Sequence, residues 1–180
     1  MINNDPTTSN LIDSKINFGD TDSIAGAFGY LWRNDADGPV IIGSGWTADP
    51  EELIALVHPS LRPIGEVGRA NSKIIDDAVR DYGAGRLEAI DVIRVEQHSG
   101  PFIEAAWDAL RATPPGHGST YTELAGRAGR PAAVRAAAAA CAYNAAALFV
   151  PCHRIVRRDG RLGGFRYGLD IKRTLLAHEA

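Results

Sequence analysis

Apolar and polar positions alternate in patterns that predict a hairpin and two helices in the first half of the chain. Two runs rich in apolar and aromatic residues, AGAFGYLWR and GPVIIGSGW, flank the turn-forming stretch NDADG and predict a β-hairpin within residues 24–46. ADPEELIALV predicts a helix with Asp49 as its N-cap and Pro50 at its first position. KIIDDAVRDYG has helical spacing and ends at Gly83, and RLEAIDVIRVEQ predicts a further strand.

After an HSGP turn at residues 98–101, the pattern becomes helical. FIEAAWDALRATPPG predicts a helix that ends before two prolines. One face of this helix carries Phe102, Ala106, Trp107 and Leu110. TELAGRA and PAAVRAAAAACAY predict two short helices separated only by Gly129 and Arg130, the second with Pro131 at its first position. This spacing is typical of a helix-turn-helix.

Composition and these patterns predict an α+β protein with three parts. Of the 180 residues, 45% are hydrophobic and 23% charged, which excludes disorder of the whole chain. We expect a flexible tail over residues 1–20, a small α+β domain over residues 21–97 and a helical domain over residues 98–180. No apolar run reaches the roughly 18 to 20 residues that cross a bilayer, and MINNDPTTSN does not resemble a signal peptide. We therefore predict a cytoplasmic protein without a membrane partner.

The charge is divided unevenly along the chain. Residues 1–100 carry 8 Lys and Arg against 16 Asp and Glu, whereas residues 101–180 carry 11 against 6. The net charges of the two parts are therefore −8 and +5. A basic, arginine-rich half suits a polyanionic partner, although a solvated arginine-rich face without a partner explains the charge equally well.

The two cysteines, Cys141 and Cys152, are too few for a disulfide framework or a four-cysteine metal site. Cys152 follows an apolar run and precedes His153 and a segment rich in Arg and Gly. A free thiol with a pKa of about 8.5 is mostly protonated at neutral pH, so a nucleophilic cysteine needs a base or a positive field nearby. His153 and the arginines at positions 154, 157 and 158 can supply one. The alternative, a small buried cysteine beside a hydrogen-bonded histidine, has similar weight.

Residues 100–180 resemble the O6-alkylguanine-DNA alkyltransferases, also called methylated-DNA-protein-cysteine methyltransferases. The resemblance rests on STYTELA, PAAVRAAAAACAYN, PCHRIV, the Gly-rich loop and the ending KRTLLAHEA, together with the spacings between them. The loop RRDGRLGGFRYG is most similar to the transferase half of bacterial adaptive-response proteins, whose four-cysteine zinc module is not present here. The resemblance implies a ribonuclease-H-like first domain and a winged-helix or helix-turn-helix second domain.

The family places its helix-turn-helix in the minor groove of double-stranded DNA and rotates the damaged nucleotide out of the duplex. That groove is about 6 Å wide, narrower than a helix with ordinary side chains. The alanines at 132, 133 and 136–139 would thin this helix, although high helix propensity alone also explains them. By resemblance, Arg135 fills the space left by the rotated nucleotide, and Tyr121 crowds the phosphate and contacts the guanine.

The remaining family roles concern the chemistry and its support. By resemblance, Cys152 is the alkyl acceptor, and a water, His153 and Glu179 generate its thiolate. The thioether product has no easy hydrolytic route back, so each molecule is expected to act once. A monomer is expected because one molecule supplies the complete site. Asn144 organises the turn before the active-site strand. Arg130 and Arg158 lie where contacts to the DNA backbone occur in the family, although both suit a solvated surface equally. Cys141 is expected to be a buried helix residue and not a second acceptor, and no cofactor or metal is expected.

The chain departs from the family pattern at a few positions. Ala136 and Ala137 follow the arginine finger, Ala145 follows Asn144, and Phe165 replaces a common tyrosine. Phe165, Arg166 and Tyr167 belong to the loop that closes over the alkyl group in the family, and the bulk of Arg166 and Tyr167 is expected to favour methyl over benzyl. Two alternative functions are a non-enzymatic protein that binds alkyl lesions and a thiol hydrolase.

Overall fold

The structure, a computed structural model, describes residues 15–180 and is a mixed α+β fold. The strands are β1 (Asn17–Ser23), β2 (Gly26–Asp35), β3 (Gly38–Gly45), β4 (Gly68–Arg69), β5 (Arg94–Val95), β6 (Ser119–Thr120) and β7 (Ile155–Val156). The α-helices are α1 (Pro50–Leu56), α2 (Lys73–Gly83), α3 (Pro101–Arg111), α4 (Tyr121–Arg127), α5 (Val134–Tyr143) and α6 (Leu169–His178). Short 3₁₀ turns span Pro59–Leu61, Leu87–Ile90 and Cys152–Arg154.

A five-stranded sheet in the order β4-β1-β2-β3-β5 organises the first half. β1, β2 and β3 are antiparallel neighbours, whereas the short strands β4 and β5 pair parallel to β1 and β3. The predicted hairpin is confirmed as β2 and β3. Its turn ends at Gly38, whose φ of +110° belongs to the region that glycine adopts without steric cost. The second sheet pairs β6 with β7 beside α4.

The five-stranded sheet separates two apolar clusters because successive side chains of a strand point to opposite faces. Leu31 of β2 and Leu53 of α1 belong to the smaller cluster. Phe28 and Tyr30 of β2 belong to the larger one, which also contains Trp107 of α3. The larger cluster continues into the second half of the chain, so both halves share one core.

Several predicted helices have the expected positions. Asp49 caps α1 by accepting a hydrogen bond from the Glu51 amide at 2.9 Å, and Pro50 is its first residue. α2 ends at Gly83. The predicted apolar face of α3 packs into the core, with Trp107 donating a hydrogen bond to the Ala140 carbonyl at 2.9 Å. None of the helices within residues 15–180 is long and apolar enough to cross a membrane.

Two expectations for the first half were wrong in part. The flexible tail was expected to reach residue 20; residues 1–14 lie outside the described part, but residues 17–20 form the start of β1. Backbone hydrogen bonding to β2 stabilises this strand, which carries few apolar residues of its own. RLEAIDVIRVEQ was expected to be one strand, but Leu87–Ile90 form a 3₁₀ turn and only Arg94–Val95 pair with β3. Arg111 holds the segment between them by donating to the carbonyls of Asp91 and Ile93.

The second helix of the predicted helix-turn-helix begins three residues later than expected. Pro131 does not start α5; it lies in a turn closed by a hydrogen bond from the Ala133 amide to the Arg130 carbonyl at 2.8 Å. Proline suits the second position of such a turn because its φ is already set. α5 therefore starts at Val134, and the alanines at 132 and 133 precede it and do not thin it.

Ser44 joins the sheet to the segment that leads to Cys152. Its amide donates to the Ala145 carbonyl at 2.8 Å, its carbonyl accepts from the Ala147 amide at 3.1 Å, and its hydroxyl donates to the Ala147 carbonyl at 2.8 Å. The Ser44 side chain is completely buried. Three hydrogen bonds that join Ser44 to Ala145 and Ala147 therefore fix the strand β3 against the second half of the chain.

We predict that Ser44→Ala lowers the free energy of unfolding by about 1–3 kcal/mol, because it leaves a buried carbonyl without its hydroxyl donor. Urea titration monitored by tryptophan fluorescence measures the change. The matched control is Ser99→Ala, at an exposed position, which is expected to change stability by less than about 0.5 kcal/mol. Equal stability of the two variants would contradict this role for Ser44.

Candidate active site

Cys152 stands at the end of a buried segment. Every residue from 145 to 150 is buried, and Leu148 has a φ of +76°, an uncommon conformation for a residue with a side chain. The chain then turns at Cys152–Arg154, where the Cys152 amide donates to the Val150 carbonyl at 2.8 Å. Cys152 is 9% exposed, so the residue is mostly buried but still reaches the surface.

The Asn144 side chain forms a bracket between the end of α5 and Cys152. Its amide nitrogen donates to the Val150 carbonyl at 2.8 Å and to Cys152 Sγ at 3.2 Å. Its oxygen accepts from the Ala146 amide and from Gln97 Nε2, both at 3.1 Å. Asn144 therefore orders the turn that precedes the cysteine and also donates to the sulfur.

Four donors converge on the carboxylate of Glu179. His153 Nε2 lies 2.8 Å from Oε1, and Tyr82 donates its hydroxyl hydrogen to the same oxygen at 2.8 Å. Arg154 donates from Nε to Oε2 at 3.0 Å and from Nη2 to Oε1 at 2.9 Å. All four side chains are buried, so this network lies away from water.

The network assigns a protonation state to each member. Burial alone would raise the pKa of Glu179, but the hydrogen bonds from His153 and Arg154 outweigh it and lower the pKa to about 2. Burial lowers the pKa of His153, against the opposing effect of Glu179, and favours a neutral ring. A neutral His153 that donates from Nε2 presents Nδ1 as an acceptor. Nδ1 is buried and has no hydrogen-bond partner among residues 15–180.

Lys172 of α6 is a buried cation without a carboxylate partner among the described residues. Nζ donates to the Ile155 carbonyl at 2.6 Å and to the Gly164 carbonyl at 3.4 Å. Burial lowers the pKa of Lys172, and the nearby cysteines oppose that change. Burial likewise raises the pKa of the Cys152 thiol, and the Asn144 hydrogen bond and the Lys172 charge oppose the rise. Lys172 and Asn144 thus both favour a thiolate at a position where burial disfavours it.

A cavity of about 350 Å³ opens beside Cys152. α5 contributes Ala138, Cys141 and Ala142 to its wall, and residues 164–167 form the facing loop. Tyr121, at the start of α4, also lines it. The cavity is mainly apolar apart from Cys152, Asn144 and the loop, which suits a flat ring with a small alkyl substituent.

The loop over the cavity is held from several sides. Tyr167 packs edge-on against Trp46, with ring centres 5.5 Å apart, and donates to the Ser44 carbonyl at 3.3 Å. Phe165 contacts Trp46 as well, at 5.9 Å between ring centres. Arg166 donates a hydrogen bond to the Ala142 carbonyl at the end of α5. Phe165 and Tyr167 are therefore half-buried wall residues, whereas Arg166 is exposed.

The three arginines predicted to bind DNA lie outside this cavity. Arg135 is exposed in the first turn of α5. Arg130 is exposed in the turn before α5 and stacks over the Phe102 ring at 5.8 Å. Arg158 lines a shallow surface cleft together with Tyr121 and Val134. Tyr121 thus borders both the cleft and the cavity, and connects the basic surface to Cys152.

Sequence reasoning missed Tyr82, Gln97 and Lys172, and assigned Arg154 only to a general positive field. Tyr82 and Gln97 are separated from their partners by 97 and 47 residues, and no local pattern indicates such contacts. Lys172 lies three residues before Leu175, so both residues share the buried face of α6, and this spacing could have predicted that the lysine is buried. Cys141 was expected to be buried, but it is partly exposed at the cavity wall. Within residues 15–180 no group of three His, Cys, Asp or Glu side chains is arranged to hold a metal ion.

Comparisons with known proteins agree on one family. Residues 101–180 match the family model described as 6-O-methylguanine DNA methyltransferase, DNA binding domain. The methylated-DNA--protein-cysteine methyltransferase of Salmonella typhimurium is 37% identical over 131 residues, which are 73% of this chain and 77% of that protein. The bifunctional transcriptional activator/DNA repair enzyme Ada of Escherichia coli is 49% identical over 79 residues, which are 44% of this chain and 22% of that protein.

Solved structures show the same fold over most of the chain. The structure of Mycobacterium tuberculosis OGT in complex with DNA has a TM-score of 0.72 at 24% identity and covers 91% of this chain and 92% of that one. The structure of O6-methylguanine-DNA methyltransferase from the archaeon Pyrococcus kodakaraensis has a TM-score of 0.64 at 19% identity. It covers 91% of this chain and 99% of that one. Because curated relatives more than 30% identical are covered over more than two thirds of their length, the chain belongs to the methylated-DNA--protein-cysteine methyltransferase family.

Proposed function

We propose that this protein repairs O6-alkylguanine, mainly O6-methylguanine, in double-stranded DNA by moving the alkyl group irreversibly to its own Cys152. The observation that carries the proposal is the position of Cys152, which opens onto an apolar cavity on one side and adjoins the buried His153–Glu179 pair on the other. No cofactor takes part in this reaction. Each molecule acts once, because the thioether that forms has no easy hydrolytic route back.

The thiolate forms by transfer of the Cys152 proton to Nδ1 of His153 through a bridging water molecule. Nδ1 is the acceptor nitrogen when Nε2–H donates to Glu179. The Glu179 carboxylate stabilises the resulting imidazolium and stays ionised, since its pKa is about 2. Asn144 and Lys172 stabilise the negative sulfur.

The transfer step is a direct displacement at the alkyl carbon. The Cys152 sulfur donates an electron pair to that carbon, a carbon–sulfur bond forms, and the bond between the carbon and guanine O6 breaks. Guanine leaves with the electron pair of the broken bond and takes up one proton from solvent, and the His153 imidazolium releases to solvent the proton that it received from Cys152. The cavity walls of Tyr121 and residues 164–167 hold the guanine so that its alkyl carbon faces the sulfur.

DNA binding follows from the basic second half. We infer that α4 and α5 act as a helix-turn-helix in the minor groove, where small side chains on α5 allow close approach. Arg135 takes the place of the rotated nucleotide, and Tyr121 crowds its phosphate. Arg130 and Arg158, both exposed, bind the DNA backbone.

The finer fold assignments belong to the same proposal. We infer that residues 21–97 form a ribonuclease-H-like domain, which the β1–β2–β3 meander with its parallel edge strands supports. Residues 98–180 form a winged-helix domain, which the small β6–β7 sheet beside α4 supports. A monomeric state and a cytoplasmic location stay predictions from the sequence.

The two alternative functions fit the site less well. A protein that only binds alkyl lesions has no need of a thiol that receives a hydrogen bond from Asn144 and faces a cavity. A thiol hydrolase needs a histidine that contacts the sulfur directly, whereas the His153 ring is directed at Glu179. The hydrolase alternative also leaves the exposed Arg135 on an alanine-rich helix unexplained.

We predict that incubation with DNA containing O6-methylguanine adds one methylene mass to the Cys152 peptide, stably and with a limit of one per molecule. Intact-protein and peptide mass spectrometry measure the gain. Cys152→Ser is expected to abolish it and to retain DNA binding, because an alcohol cannot replace a thiolate at neutral pH. Cys141→Ser is the matched control in the same cavity and should transfer normally. Transfer by the Cys152→Ser variant would place the acceptor elsewhere.

We predict that His153→Ala and Glu179→Gln each slow alkyl transfer by about 10²-fold or more, the usual order for loss of a positioned acid-base group. Single-turnover kinetics with labelled DNA measure the rate, and thermal melts report folding. His117→Ala, at an exposed position, is the control and should retain the full rate. Full-rate transfer by both site variants would reject the relay.

We predict that Arg135→Ala weakens transfer from duplex DNA at least tenfold more than transfer from the free base O6-methylguanine. Only the duplex substrate requires a rotated nucleotide, and rotation costs a few kcal/mol. Arg80→Ala, an exposed arginine of α2, is the control and should change neither rate. Equal losses on both substrates would assign Arg135 to folding instead.

A further inference from the structure

Tyr82 connects the first half of the chain to the catalytic network. It lies in the last turn of α2, is 1% exposed, and donates its hydroxyl hydrogen to Glu179 Oε1 at 2.8 Å. Its backbone carbonyl accepts a hydrogen bond from His178 Nε2 at 2.7 Å, and the two rings pack 5.2 Å apart. Contacts to two successive residues, His178 and Glu179, therefore fix the phenol against the end of α6.

The hydroxyl of Tyr82 and the ring of His153 share one acceptor atom. Oε1 of Glu179 receives hydrogen bonds from Tyr82, His153 Nε2 and Arg154, whereas Oε2 receives only Arg154 Nε. Each donor to a carboxylate stabilises its charge and reduces its basicity. When Tyr82 donates to Glu179, the carboxylate is therefore less basic and stabilises a protonated His153 less strongly.

We propose that Tyr82 is a positioning residue of the alkyl-transfer reaction, which holds the Glu179 carboxylate in place and limits the basicity that it confers on His153; this rests on the proposed His153–Glu179 relay. A neutral phenol suits this task because it donates a hydrogen bond without adding a charge. Burial and the neighbouring Glu179 raise the pKa of Tyr82 above its ordinary value, so the hydroxyl keeps its proton throughout the working pH range.

The other charged or titratable groups around the relay and its cysteine come from several elements. The 3₁₀ turn contributes Cys152 and Arg154, and α6 contributes Lys172 and His178. The groups that face the sulfur from elsewhere are Tyr121, Cys141, Arg166 and Tyr167. A substitution that removes only the Tyr82 hydroxyl leaves all of these groups in the protein. A change in the titration of Cys152 that follows such a substitution therefore reports either the lost hydrogen bond or loosened packing, and a control variant distinguishes the two.

The test is the pH dependence of Cys152 alkylation by iodoacetamide in Tyr82→Phe, with peptide mass spectrometry to follow Cys152 alone. The rate tracks the thiolate fraction. A more basic Glu179 stabilises the imidazolium that accompanies the thiolate, so we expect the acid limb of the profile to move toward lower pH by about half a unit. An unchanged profile, or a move toward higher pH, overturns the inference.

Tyr30→Phe is the matched control. Tyr30 is also buried in the larger core and donates its hydroxyl hydrogen to a carboxylate, that of Asp76, at 2.6 Å, but it does not contact the relay. Both variants lose one hydroxyl and some stability, and only Tyr82→Phe should shift the profile. An equal shift in both variants overturns the inference, because it would reflect loosened packing.

A second substitution tests the same point without removing the hydroxyl. A fluorinated tyrosine in place of Tyr82 is a more acidic phenol and a stronger donor, so the acid limb should move toward higher pH. A shift in the same direction as Tyr82→Phe contradicts the inference. This variant keeps the shape of the side chain and serves if Tyr82→Phe does not fold.

The pH profile of Cys152 alkylation in His153→Ala distinguishes failure of the Tyr82 proposal from failure of the His153–Glu179 relay. A profile that changes in His153→Ala but not in Tyr82→Phe overturns the role of Tyr82 and leaves the relay in place. A profile that is the same in wild type and His153→Ala rejects the relay and the role of Tyr82 with it. Methyl transfer from DNA by the wild-type protein, measured in parallel, tests the proposed function independently of both.

Discussion

The buried carboxylate of Glu179 is the constraint on which the rest of the structure depends. An ionised carboxylate is costly to remove from water unless hydrogen-bond donors and an opposite charge accompany it. Here the donors come from two segments that are distant in sequence, Tyr82 of α2 and the 3₁₀ turn with His153 and Arg154, whereas Glu179 itself follows α6. Satisfying one side chain near the C-terminus therefore brings together α2, the active-site turn and α6.

This arrangement also explains how a buried cysteine becomes a nucleophile. Burial alone makes the Cys152 thiol harder to ionise. The fold opposes that effect with a neutral histidine that presents an acceptor nitrogen, with the Asn144 amide on the sulfur and with the buried cation of Lys172. Each of these groups is itself held by a hydrogen bond to backbone or to Glu179. The reactive thiol is thus a property of the folded protein and not of the PCHR string alone.

The first half of the chain does not contain the alkyl-acceptor cysteine, but it holds the second half in place. Ser44 fixes the segment before Cys152 through three hydrogen bonds, and Trp46 packs against the loop that covers the cavity. Gln97 donates to the Asn144 oxygen and accepts from the Ala145 amide. The acidic half therefore mainly positions the residues that form the cavity. The basic half carries exposed arginines whose positive charge favours contact with DNA phosphates.

The sequence by itself determined features that local physics controls. Turn residues located the hairpin, a proline and an aspartate located the start of α1, and the PCHR motif with its spacing to Glu179 pointed to the chemistry. The start of α5 at Val134 follows from the local turn at residues 130–133, which sequence reasoning did not recognise. Tertiary structure alone decided the extent of β1 and the 3₁₀ turn at Leu87–Ile90. It also brought Tyr82, Gln97 and Lys172 to the site. These contacts join residues far apart in sequence, and their energy comes from burial and hydrogen bonds that exist only once the whole chain has folded.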